Sequence, residues 1–125
     1  MTKPTDSELE ILQILWQKGS CTVREVNEIL NQSREGEVGY TTTLKIMQIM
    51  HEKGLIGRDD SAKTHIYSAV VKEEDTQKQL LERFMDSVFK GSAMKMVMQA
   101  LGNQKTTPEE LAEIKKLIEE MENKK

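Results

Sequence analysis

The chain has 125 residues, enough for a single domain or for a small domain with an appendage. It is 37% hydrophobic and 31% charged, which excludes a disordered tail or a collagen-like chain. No apolar run exceeds three residues, as in Ile14-Leu15-Trp16, which excludes a spanning helix. The net charge of −3, from 18 basic and 21 acidic residues, argues at face value against a nucleic-acid ligand. The opening MTKPTDSELE lacks a secretory apolar stretch, and the single Cys21 cannot form an internal disulfide. Both lead us to expect a reducing, cytoplasmic location.

Thr5-Asp6-Ser7-Glu8 is a capping box, in which a hydroxyl and a carboxylate three residues apart satisfy two orphan amides. Leu9, Ile11, Leu12, Leu15 and Trp16 follow at helical spacing until Gly19. A second box at Thr22 and Glu25 opens a stripe of Val23, Val26, Ile29 and Leu30. The polar stretch Asn31 to Gly39 is predicted to be a loop. A third helix begins near Thr41, turns Thr43, Ile46, Met47 and Met50 inward, and stops at Gly54. Then Leu55-Ile56-Gly57-Arg58 and Thr64-His65-Ile66-Tyr67-Ser68, separated by turn formers, predict one small hairpin. Three short helices and a hairpin are the order of a winged helix-turn-helix, predicted over residues 1–71.

Residues 72–125 return to helical patterning. Leu81, Phe84, Met85, Val88 and Phe89 line a helix from about Glu73 to Gly91. Ser92 starts a shorter one with Ala93, Met96, Val97, Ala100 and Leu101, closing at Gly102. Thr107, Pro108 and Glu110 give the clearest helix start in the chain, ahead of Leu111, Ile114, Leu117, Ile118 and Met121. Three short helices have little interior in which to bury such stripes, so a second copy of the chain is the economical partner. The predicted fold is therefore mainly α with a small β-hairpin wing: a winged helix-turn-helix plus a C-terminal helical dimerisation domain. Leu81, Phe84, Val88, Met96, Val97, Leu111, Ile114, Ile118 and Met121 are its candidate dimerisation residues.

The strongest functional signal is Tyr40-Thr41-Thr42-Thr43 with Lys45 and Gln48. The N-terminal end of a recognition helix enters the major groove, where Thr41 and Thr42 can meet phosphate. Lys45 and Gln48, three apart, share a face and can bond base edges. The alternative is an ordinary helix start on a solvated face. Lys63 and His65 at the hairpin could meet the DNA backbone, or be exposed turn residues. Arg58 could do the same or pair with Asp59 or Asp60. Counting Lys45 and Lys53 against Glu52, with Lys63 and His65 nearby, the proposed contact surface is less acidic than the chain. Each subunit still offers few cations, so useful affinity is expected only from a dimer.

Cys21, His51 and His65 lack paired ligand spacing, so no metal or other cofactor is expected. The methionines, Met47, Met50 and Met85 among them, fit core packing better than soft-metal binding. No nucleophile elbow or phosphate-cradling glycine loop is present, and no catalytic residue is assigned. A winged helix without DNA binding, serving as a protein-interaction module, is the alternative reading.

Glu8-Leu9-Glu10-Ile11-Leu12 with Leu15-Trp16 and Gly19, then Thr22-Val23-Arg24-Glu25-Val26, form an ordered series. Tyr40-Thr41-Thr42, Lys53-Gly54-Leu55, Tyr67 and Phe89-Lys90-Gly91-Ser92 complete it. Together they resemble the penicillinase-repressor (BlaI/MecI/CopY-type) family of bacterial transcriptional regulators over essentially the whole chain. The resemblance implies a homodimeric winged-helix repressor that binds a palindromic operator in double-stranded DNA and occludes the promoter. It places Thr41, Thr42, Lys45 and Gln48 against DNA, Lys63 in the wing, and Trp16 and Tyr67 in support. Three departures stand out. Ile49 replaces an arginine frequent in the family. Gln99-Ala100 stands where β-lactam-responsive members are cleaved at Asn-Phe, which bears on any membrane sensor-protease partner. No cysteine follows Cys21, unlike the copper-responsive members.

Overall fold

The N-terminal box closes as its residue types require. In the computed structural model, which describes residues 3–32, 36–103 and 106–124, Glu8 N–H donates to Thr5 Oγ1 at 3.2 Å and Thr5 N–H to Glu8 Oε1 at 2.9 Å. This starts α1 (Asp6–Lys18), which ends where Gly19, at φ 87°, returns its N–H to Leu15 O. The reciprocal bonds of Thr22 and Glu25 start α2 (Val23–Gln32) in the same way. Asn31 and Gln32, read as loop, continue this helix; Ser33 to Glu35 of the same predicted loop lie outside the described residues.

Helix α3 (Tyr40–Lys53) starts one residue earlier than its threonines suggest, with Gly39 in the capping position and no side chain bonding the first turn. It stops at Gly54, which sits in the left-handed region at φ 82°. There Leu55 N–H is drawn back to Met50 O, so the strand β1 (Ile56–Asp59) begins after Leu55 rather than at it. β1 pairs antiparallel with β2 (Ile66–Ala69) in the register Ile56–Ala69 to Asp59–Ile66, leaving Thr64 and His65 in the connection. Cys21 adds a third strand-like partner: its N–H and C=O bond Tyr67 O and N at 2.9 and 2.8 Å. This bridge ties the start of α2 to the hairpin.

Periodicity places one continuous core behind these elements. Ile11, Leu12, Leu15, Val23, Val26, Leu30, Met47, Met50, Leu55, Ile56, Tyr67 and Cys21 are all buried in it. Leu9, Trp16, Ile29 and Ile46, expected on the same stripes, are half-buried at its margin. Trp16 turns its indole N–H to Val71 O at 2.9 Å and so fixes the exit from the hairpin. The order helix, helix, helix, hairpin around a single core is a winged helix-turn-helix, with α2 and α3 as its helical pair.

The chain forms two compact units, Met1–Leu80 and Leu81–Lys125. The division falls inside α4 (Glu73–Phe89), beyond the expected boundary at residue 71, because buried Thr76 carries the first turns of α4 into the N-terminal unit. In the second unit Lys90 and Gly91, both at positive φ, break the chain before Ser92 caps α5 (Ala93–Gly102). Thr107 and Glu110 close the last box and start α6 (Pro108–Asn123). No described residue of α5 or α6 is buried, and Leu81, Phe84, Val88, Val97, Leu111, Ile118 and Met121 stand exposed. Met96 and Ile114 are half-buried. Among the described residues no helix is long and apolar enough to cross a membrane.

Candidate nucleic-acid interface

Thr43, Met47 and Met50 lock one face of α3 into the core, and this fixes what the opposite face presents. Thr41, Thr42, Lys45, Gln48 and Ile49 are exposed along it, and Tyr40 is exposed at the helix start. The first turn of α3 has no side-chain cap, so its N-terminal amides and dipole point outward with the threonine hydroxyls. A hydroxyl pair, a cation and a carboxamide on one uncapped helix end suit phosphate oxygens and base edges.

The hairpin turn stands beside this end. A groove of about 330 Å³ is lined by Thr22, Val23 and Arg24 from the start of α2, Tyr40 and Leu44 from α3, and Lys63, Thr64, His65 and Tyr67 from the wing. It brings Lys63 and His65 together with Tyr40, which heads the threonine run, and with Arg24, which was not among the predicted contact residues. Arg24 is exposed within the second capping box, and nothing in its local sequence distinguishes it from any other surface cation.

Lys53, counted for this surface, and Arg58, a candidate for it, are both engaged with carboxylates. Lys53, expected to offset Glu52, instead puts its Nζ 2.9 Å from each oxygen of buried Glu8, 45 residues away in the chain. Burial works against ionising Glu8, but bonds from Lys53 Nζ and Thr5 N–H, with the ammonium charge, hold its carboxyl below the ordinary range. Arg58 takes the ion pair that was one of its two expected fates, with Nε 2.7 Å from Asp60 Oδ1. Tyr67 and then Asp60 beside it favour the charged guanidinium. His65 Nε2 lies 3.6 Å from the same Asp60 oxygen. Asp59 accepts from Ser61 N–H at 2.9 Å, which shapes the wing turn and lowers its carboxyl.

Cys21 is buried; burial, helped by the charge of Glu25 and opposed by that of Lys18, pushes its thiol up. Among the described residues no group of three or more His, Cys, Asp and Glu could hold a metal. Gln99 and Ala100 are exposed within α5, and Gln99 lines a groove with Phe89, Lys95 and Met98.

Three helices and a two-stranded wing around one core, with the first turn of α3 exposed and uncapped, define the class of winged helix-turn-helix regulators. The chain belongs to the penicillinase repressor family, whose pattern its residues 4–120 match. It is 24% identical over 121 residues to a penicillinase repressor of Bacillus licheniformis, covering 97% of this chain and 93% of that protein. It is 21% identical over 114 residues to the methicillin resistance regulatory protein MecI of Staphylococcus aureus, covering 91% of each. A solved structure of a Lactococcus lactis ZitR mutant superposes with a TM-score of 0.49 and 20% identity, over 98% of this chain and 76% of that one. The family is one of transcriptional repressors, not enzymes.

Proposed function

We propose that this repressor acts as a homodimer on a palindromic operator, α3 of each subunit entering the major groove and the wing following the backbone, so that promoter DNA is occluded. The observation that carries the reading is the exposed first turn of α3, with Thr41, Thr42, Lys45 and Gln48, standing beside the groove that contains Arg24 and Lys63. Thr41 and Thr42 meet phosphate, while Lys45 and Gln48 face base edges. Lys63 and Arg24 meet the backbone, with His65 beside them. Arg58 acts through its pair with Asp60, shaping the wing rather than contacting DNA.

The dimer reading is supported by the second unit, whose apolar positions on α4, α5 and α6 lack an interior of their own. Leu81, Phe84, Val88, Met96, Val97, Leu111, Ile114, Ile118 and Met121 form the interface in this reading. Two-fold symmetry then spaces the recognition helices by about one DNA turn, or further where the dimer splays them. Gln99-Ala100 in α5, in place of the Asn-Phe pair that the resemblance puts there, leaves a membrane sensor-protease out of this mechanism.

The test is the double variant Thr42→Asp, Lys45→Glu, measured against duplexes that the full-length protein enriches from random DNA. One introduced carboxylate against phosphate and one in place of a base-facing cation should lower affinity on the order of a hundredfold or more, with the fold and dimer unchanged. Binding equal to that of the unaltered protein overturns the reading.

A further inference from the structure

The α2–α3 pair meets at Val38, two residues before α3 begins. Asn27 and Asn31, four apart on α2, point at this peptide together. Asn31 Oδ1 accepts from Val38 N–H at 2.7 Å, and its Nδ2 donates to Val38 O at 3.1 Å. One carboxamide thus satisfies both backbone groups of Val38, as a paired strand would. Asn27 Nδ2 donates to the same Val38 O at 2.8 Å and to Thr43 Oγ1, inside α3, also at 2.8 Å. Asn31 Nδ2 lies 3.4 Å from Asn27 Oδ1. Thr43 is fully buried, and both asparagines are half-buried. Turning either amide over would set oxygen against oxygen, so the partners fix both orientations.

Apolar packing alone lets two helices shift over a shallow range, whereas a satisfied buried network is directional and permits one arrangement. This network spans α2, the residue Val38 ahead of α3, and the end of the first turn of α3 at Thr43. We infer that Asn27 and Asn31 are positioning residues for DNA recognition: they set the register in which Tyr40 to Lys45 enters the groove. They thereby govern discrimination between sequences rather than general affinity for DNA. The inference rests on the DNA reading above. Loss of the network moves base-facing groups by fractions of an ångström, which base-edge bonds sense and mobile phosphate-binding side chains accommodate.

The test uses full-length Asn27→Ala, Asn31→Ala and Thr43→Val. The last keeps the shape of a buried side chain while removing the acceptor for Asn27, so it serves where an alanine variant fails to fold. Each is titrated against an enriched duplex and a scrambled one of equal length and composition. We expect about tenfold or greater loss on the enriched duplex, a change within about twofold on the scrambled one, and an unaltered salt slope. Equal losses on both duplexes, or loss on neither, would overturn the positioning role. Amide exchange at Val38 supplies an arm without DNA: it should accelerate in Asn31→Ala, and unchanged protection overturns the clamp itself. A wild-type protein that enriches no duplex removes the DNA reading, and the positioning role with it, whatever the exchange shows.

Discussion

Glu8 combines two tasks in one carboxylate, capping α1 through Thr5 N–H and holding the end of α3 through Lys53. Its folded pKa lies below the ordinary value of 4.5, so the stability it contributes is present above that value and lost as pH falls through the folded one. Glu8→Gln should therefore flatten the acid limb of stability against pH and lower stability at pH 7 by about 1–2 kcal/mol, a modest figure because Lys53 retains access to water. Urea unfolding across pH 3–7 measures both; an unchanged acid limb refutes the assignment. Cys21 offers a second residue-level check. Buried with its thiol pushed up, it should react with a thiol reagent at pH 8 only as fast as the N-terminal unit opens. Rapid labelling of the native protein would contradict its burial. Neither environment is written in the local sequence. Glu8 is legible as a capping residue, but its partner comes from 45 residues away.

At the scale of elements, α2, α3 and the hairpin meet at one groove, and each supplies something the others lack. The wing gives Lys63, α2 gives Arg24, and α3 gives its uncapped first turn. If both cations meet phosphate, Arg24→Ala and Lys63→Ala should each reduce the slope of log affinity against log salt by about one, weakening all duplexes similarly. A slope unaltered in both variants would remove them from the backbone contact. Lys63 was legible because a cation at a hairpin turn suggests a wing tip. Arg24 was not, since only the bridge between Cys21 and Tyr67 brings the start of α2 beside the wing. Helix ends were read to within a residue or two. Of these differences, Asn31 and Gln32 are polar sequence that continues a helix, with Asn31 serving as hydrogen-bonding partner to Val38.

For the whole molecule, the acidic balance and the unburied C-terminal stripes point to the same dependence on a second copy. With Lys53 and Arg58 committed to carboxylates, Arg24, Lys45 and Lys63 form no ion pair among the described residues. A single subunit offers few phosphate contacts, and pairing doubles them. Ile118→Asp places a charge in the proposed apolar interface and should yield monomers in sedimentation, with DNA affinity reduced on the order of a hundredfold. Unchanged dimers would exclude this face of α6 from the interface. The same face explains why the stripes were legible while their partner was not: periodicity shows that a surface needs covering, and it does not specify by what.

The sequence by itself determined the elements, their order and the exposed end of α3, because caps, glycine stops and apolar spacing act over three to seven residues. Through the family's ordered residues it also determined the class of regulator. Tertiary structure decided which cations face outward and which are consumed by Glu8 and Asp60. It decided, too, that Arg24 joins Lys63, and that Asn27 and Asn31 close on Val38 and Thr43. These choices depend on how separate elements pack, and local spacing carries no record of the partner that another element brings.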